Sequence, residues 1–195
     1  MTRTIVPALL LILVTGCAPR ASTSPYAPPS ESARNPAEAE RLTQLAARTA
    51  EPAAAERLLR DALAADLYCG PAHNNLGAIL LAREELFEAA NEFEWAKKLM
   101  PGHPSPRLNL AITLERAGRT TEALAEYRSA LESQPEHIQT IQALTRLQIR
   151  SNTTSPDTAD MLRTIAFRGE TEQWRTWATA QLTRMQSRPP SRTGS

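Results

Sequence analysis

The side chains that could do chemistry in this sequence are few: two cysteines, Cys17 and Cys69, and three histidines, His73, His103 and His137. Catalysis requires a nucleophile, a base and oxyanion donors that converge, and a zinc site requires cysteine or histidine pairs at short spacing. Neither pattern is present. The interval between His103 and His137 is far too long for a local ligand pair and belongs instead to a repeat. No glycine loop of the phosphate-cradling kind occurs either. No enzyme activity, cofactor or metal is therefore expected. Cys69 can pack as a small apolar side chain or, in an oxidising compartment, pair between chains.

The elements that would have to position any site are helices. Ala, Leu, Glu and Arg dominate the middle of the chain, while glycine (7) and phenylalanine (3) are scarce, a composition that favours helix over sheet. The 22 basic and 21 acidic side chains nearly cancel, so no global field attracts nucleic acid. Cations are concentrated after His137, where eight arginines face four acids. That stretch lacks interleaved stacking aromatics and reads as a solvated helical face with a basic tail.

The N-terminus has the three-part plan of an export signal: Arg3, an apolar run over residues 5–14 (IVPALLLILV), then small residues before Cys17. Ten helical residues cover only about 15 Å, roughly half a bilayer's hydrocarbon thickness, so the run is too short to span. The sequence Val14-Thr15-Gly16-Cys17 resembles the bacterial lipobox. That resemblance implies cleavage of residues 1–16, lipidation of Cys17 and stable anchoring by several acyl chains. Ala18 stands where an Asp retains many such lipoproteins at the inner membrane, which implies an outer-membrane anchor facing the periplasm. Residues 17–35, rich in Pro and Ser, lack the apolar content to fold and are expected to be a disordered tether.

Residues 70–103 and 104–137 align without gaps. Leu76 falls on Leu110, Gly77 on Ala111, Leu80 on Leu114, Ala89 on Ala123, Phe93 on Tyr127, Ala96 on Ala130 and Pro101 on Pro135. Asn75 and Asn109 also coincide, as do His103 and His137. A large-small-large set in one helix, small-aromatic-small in the next and a closing proline resemble the tetratricopeptide repeat, a helical hairpin of about 34 residues. Residues 36–69 fit the frame with Leu42, Ala46, Ala55, Leu59 and Ala62, but depart from it at Thr43 and Leu67. The resemblance implies an all-α helical-hairpin solenoid of three repeats, and places His73 as a packed side chain. Pro52 suits the first turn of a helix, and Gly118 a tight turn.

Beyond His137 the frame blurs. Ile138, Ile141, Leu144 and Leu147 recur at helical spacing. A second helix is expected to start at Ser155-Pro156-Asp157 and end at Gly169, and a third to run over residues 172–186 with Trp174, Trp177, Ala178, Gln181, Leu182 and Met185 along one face. Residues 138–186 are read as a degenerate fourth repeat plus capping helix, since a solenoid's last repeat needs cover. Residues 187–195 are expected to be a disordered tail.

Tetratricopeptide arrays typically hold partner peptides in a concave groove lined by the first helix of each repeat. The resemblance places that groove at Glu40, Gln44, Ala47 and Arg48, then Asn74, Ala78, Leu81 and Ala82, then Leu108, Ile112, Glu115 and Arg116. The basic set that clamps a terminal carboxylate in chaperone-binding members is missing, and Leu81, Leu108 and Ile112 favour an apolar peptide or amphipathic helix. The groove could also be covered by the chain's own tether or capping helix. The expected function is an envelope lipoprotein that scaffolds other proteins, with a membrane as its second partner through the anchor. The rivals are an accessory or regulatory subunit of an envelope enzyme and a passive spacer.

Overall fold

The computed structural model describes residues 34–187; the expected signal peptide, Cys17, most of the tether and most of the tail lie outside them. The described residues form α1 (Pro36–Arg48), α2 (Pro52–Ala65), α3 (Gly70–Ala82), α4 (Leu86–Leu99), α5 (Pro104–Arg116), α6 (Thr120–Ser133), α7 (Ile138–Arg150), α8 (Thr158–Arg168) and α9 (Glu172–Gln186). The helices α1, α3, α5 and α7 start at Pro36, Gly70, Pro104 and Ile138, a constant interval equal to the sequence repeat. Proline occupies the first or second helical position of α1, α2, α3 and α5, where its missing N–H leaves no bond unmade.

Within a hairpin, one small residue decides how close the helices come. A Cβ built on Gly77 would lie 2.7 Å from Phe93 Cε1, so Phe93 lies flat against bare backbone. In the next repeat the pair is Ala111 with Tyr127, and in the first it is Thr43 with Leu59, all buried. Where the small position carries the bulkier Thr43, the facing side chain is the smaller Leu59 in place of an aromatic, and interior density is kept. Thr43 is tolerated because its hydroxyl donates to the Ala39 carbonyl at 2.7 Å. At Leu67, the other departure, the closing proline's work passes to Asp66. Its buried carboxylate takes two hydrogen bonds from Arg34 (2.8 and 3.0 Å) and one from the Tyr68 N–H (3.0 Å). Arg34 chiefly, and the Tyr68 N–H after it, hold this carboxyl below the ordinary Asp range against the opposing effect of burial.

The turn between the two helices of a repeat also recurs. Glu84, Gly118 and Asn152, which hold the same place in successive repeats, have φ of 61°, 76° and 54°. The residue after each donates its N–H back into the helix just ended, to the carbonyls of Leu80, Leu114 and Gln148 at 2.9–3.0 Å. This is the left-handed closure that satisfies orphan carbonyls at a helix end.

The frame therefore runs further than its sequence signature. In α7, Leu144, Thr145 and Gln148 hold the positions of Leu110, Ala111 and Leu114, and all three are buried. Gln148 replaces a leucine because the following loop supplies partners: its amide donates to Ser155 Oγ and accepts from Thr158 Oγ1. Regularity ends there. The second helix starts at Thr158, not at the expected Ser155-Pro156-Asp157, because Thr158 Oγ1 accepts the Ser155 N–H and holds those residues in a turn. Gly169 closes α8 as expected. The tight partner of α8 is α9, not α7. These two helices build a second small core of Ile141, Leu162, Ile165 and Ala178, with Trp174, Trp177 and Leu182 against it. Met185, expected on the same face, is largely exposed.

Candidate functional site: the concave face

The concave side is built from the first helix of each repeat, with α1 against α3 and α3 against α5. Asn109 donates 3.0 Å to Asn74 Oδ1 across the second of these contacts. The next step differs. α5 and α7 are tied by side-chain ion pairs to Glu115, from Arg146 at 3.2 Å and Arg150 at 2.9 Å, and leave a pocket of about 690 Å³ between them. Its floor is Leu108, Ile112 and Ala143; Asn109, Gln139 and Gln142 line it with amides; Arg116, Arg146, Arg150 and Glu170 stand at its rim, and Trp174 of α9 forms a wall.

Glu115 organises the charge. Its side chain is 8% exposed and accepts from Tyr127 Oη at 2.9 Å as well as from the two arginines. The carboxylate is thereby shielded, and the pocket presents guanidinium groups. Burial first, and the nearby Glu115 charge second, push the Tyr127 hydroxyl far above the ordinary phenol range, so it remains a donor. Gln139 donates to Glu170 at 2.9 Å, and the Gln142 amide, turned to face its partners, both donates to and accepts from Glu170.

The groove residues read from the sequence divide into groups. Leu108, Ile112, Glu115 and Arg116 meet in this pocket. Ala47 and Ala78 line a smaller recess of about 350 Å³ between the first two repeats, over Leu59 and Ile79. Glu40, Gln44 and Arg48 are exposed along α1 outside both recesses, and Gln44 donates to Glu40. Asn74 is half-buried in the asparagine contact, Leu81 packs partly into the core and Ala82 is exposed. Leu108, expected at the groove's exposed centre, is 7% exposed: it belongs to the core and shows the pocket only one edge. Arg146, Arg150, Gln139, Gln142 and Trp174 were absent from the sequence-based groove. Extending the repeat register into α7 identifies Gln142, Arg146 and Arg150; Gln139 holds the place of Ser105, outside that register, and nothing local identifies Trp174.

The residues first considered for chemistry have structural places. His103 caps α5, its Nδ1 accepting the Ser105 N–H, and His137 is the equivalent cap residue of α7, with Nδ1 2.8 Å from Thr140 Oγ1. Burial pushes the His137 imidazole below its ordinary value. His73 is buried, 2.6 Å from Glu92 Oε2 and 2.8 Å from the Leu67 carbonyl, and stacks on Trp95. Cys69 is a free thiol, half-buried beside Thr43. Among the described residues no group of three or more His, Cys, Asp or Glu side chains could hold a metal ion.

Comparison with known proteins places the fold. No protein-family model matches the chain, and no curated protein sequence does. Solved structures do match. A tetratricopeptide repeat protein from Parabacteroides merdae superimposes with a TM-score of 0.62 at 21% identity, over 77% of this chain and 60% of that one. The first tetratricopeptide domain of Spaghetti (RPAP3), bound to an HSP90 peptide, gives 0.58 at 14% identity over 62% of this chain and 98% of its own. MamA from Desulfovibrio magneticus gives 0.56 at 18% identity, over 77% and 78%. The described helices are a solenoid of paired helices with the architecture of tetratricopeptide repeats.

Proposed function

We propose that this chain is a protein-interaction scaffold whose concave face receives a peptide or helix from a partner. The observation that carries the reading is the pocket between α5 and α7. It has an apolar floor, side-chain oxygens of Asn109 and Gln139 able to accept from a peptide backbone and fixed charges at its rim, the composition of a site that orients a polypeptide. The likeness to a domain that was solved with a bound peptide supports the same use. Among the described residues no helix is long and apolar enough to cross a membrane, so the proposed attachment to a bacterial outer membrane rests on lipidation of Cys17.

In-cell crosslinking with mass spectrometry tests both parts. Ile112→Glu together with Ala78→Glu places charge on the concave face at positions that are not fully buried. Helical content should be unchanged and specific crosslinked partners lost; recovery equal to that of the unaltered chain would remove the groove from the proposal. Cys17→Ser should move the protein from the membrane fraction to the soluble fraction. If it stays with the membrane, the lipid anchor is wrong.

A further inference from the structure

The geometry points to a specific ligand class for this pocket: an acidic segment of a partner protein, with an aliphatic side chain on the floor and carboxylates on Arg146 and Arg150. The inference rests on the scaffold reading and sharpens it. Two arginines one helical turn apart on α7 converge on the single shielded carboxylate of Glu115. That arrangement fixes both guanidinium groups without exhausting them. Each has further N–H donors, and their side chains remain 44% and 59% exposed. Held in place beforehand, they lose little rotamer freedom when a carboxylate arrives, and the bonds they make are charge-assisted.

The rest of the lining agrees with a peptide. Asn109 and Gln139 donate to Asn74 and Glu170 and each keep a side-chain oxygen that can accept a backbone N–H, while the buried Gln142 is engaged with Glu170 and fixes the wall. Leu108, Ile112 and Ala143 offer apolar contact, and Trp174 stands beside the arginines. Charge separates the possible occupants. Arg146 and Arg150 share the single carboxylate of Glu115, a local excess of one positive charge, while Arg116 is paired with Glu84 at 2.6 Å and Glu170 is bonded by Gln139 and Gln142. Residues 188–195 carry Arg188 and Arg192 and no acid, and residues 18–33 carry Arg20 against Glu31. Neither segment of this chain supplies net negative charge, so a foreign acidic segment is the better complement.

Selection from random dodecapeptides displayed on phage, using the full chain, tests this. The enriched pool should place Asp or Glu beside Leu, Ile or Phe. An enriched sequence, resynthesised with a fluorophore, should lose at least about tenfold in affinity for Arg146→Gln with Arg150→Gln. It should lose nothing for Arg163→Gln, an exposed arginine of α8 outside the pocket. Because the double variant also strips partners from Glu115, Glu170→Gln gives an independent reading of opposite sign: removing a rim anion should tighten binding of the acidic peptide. A neutral or basic pool, no pool above background, or an affinity indifferent to both variants would overturn the inference. So would a photo-crosslinker at position 139 that captures the chain's own tail or a second copy. If groove-dependent partners are still recovered in cells, the scaffold reading survives that failure; if they are not, both fall.

Discussion

The hydroxyl of Tyr127 donates a 2.9 Å hydrogen bond to Glu115 Oε2, joining the fully buried aromatic of α6 to the one carboxylate on which Arg146 and Arg150 converge. The packing residue of the third hairpin is thus also the back support of the concave pocket. Tyr127→Phe keeps the ring and removes only the donor. The loss of a hydrogen bond to a mostly buried charge should cost about 2 kcal/mol in urea unfolding. It should also loosen the arginines, and selected peptides should bind more weakly to this variant than its helical content would suggest.

The same hydroxyl should leave a signature in alkaline titration. Its folded pKa lies above the unfolded value near 10, so the unfolded chain gives up the proton first. Stability from this group is therefore complete below about pH 10 and is lost as pH rises beyond it. Ultraviolet absorbance should show Tyr127 ionising only together with loss of the helical signal. A phenol that titrates near pH 10 in the folded chain with Tyr68→Phe and Tyr26→Phe would contradict the buried contact.

Gly77→Ala should destabilise the second hairpin by about 1–3 kcal/mol, because the new methyl meets Phe93 Cε1 at 2.7 Å in a well-packed core. Alanine's helix propensity, worth about 1 kcal/mol over glycine, works the other way and does not relieve the overlap. Phe93→Leu should recover part of the loss, since the first repeat pairs the larger Thr43 with Leu59. A double-mutant cycle by chemical denaturation measures the coupling; strict additivity would refute the size compensation.

Gly118→Ala isolates backbone cost, because nothing lies within 4 Å of the added Cβ while φ is +76°. A loss of about 1 kcal/mol is expected from the left-handed backbone alone. Glu84 and Asn152 hold the equivalent place without glycine, so the substitution should weaken the fold and not abolish it. Thermal melts of the two chains provide the measurement.

Asp66 should make the first repeat acid-sensitive. Its folded pKa is depressed below the ordinary value of about 3.9, so the stability it contributes is present above that pH and is lost as pH falls through the folded value. Asp66→Asn should lower the melting temperature at neutral pH and flatten its fall below about pH 4. An unchanged acid profile would remove the Arg34–Asp66 pair as its source.

The repeat was legible because its physics is local. A small residue opposite a larger one, a left-handed turn and a proline at a helix start each act within one hairpin, and each leaves a residue type at a fixed register. The fourth repeat was less legible for an equally physical reason. Thr145 and Gln148 look like solvent-facing residues in a periodicity count, yet both are buried, the first bonded to the Ile141 carbonyl and the second to hydroxyls from the next loop. Polarity at a core position is readable only when the partners are known.

The sequence by itself determined the helices, their regular spacing and the side of each hairpin that faces its neighbour, since short-range sterics decide these. It also carries the Cys17 signal, which lies outside the described residues. Only the tertiary structure decided where the concave face opens. Leu108 was drawn into the core by its neighbours, while Arg146, Arg150 and Trp174 came to the pocket through the packing of α7, α8 and α9. The angle at which one packed unit meets the next depends on contacts between residues far apart in the chain, and no local spacing encodes it.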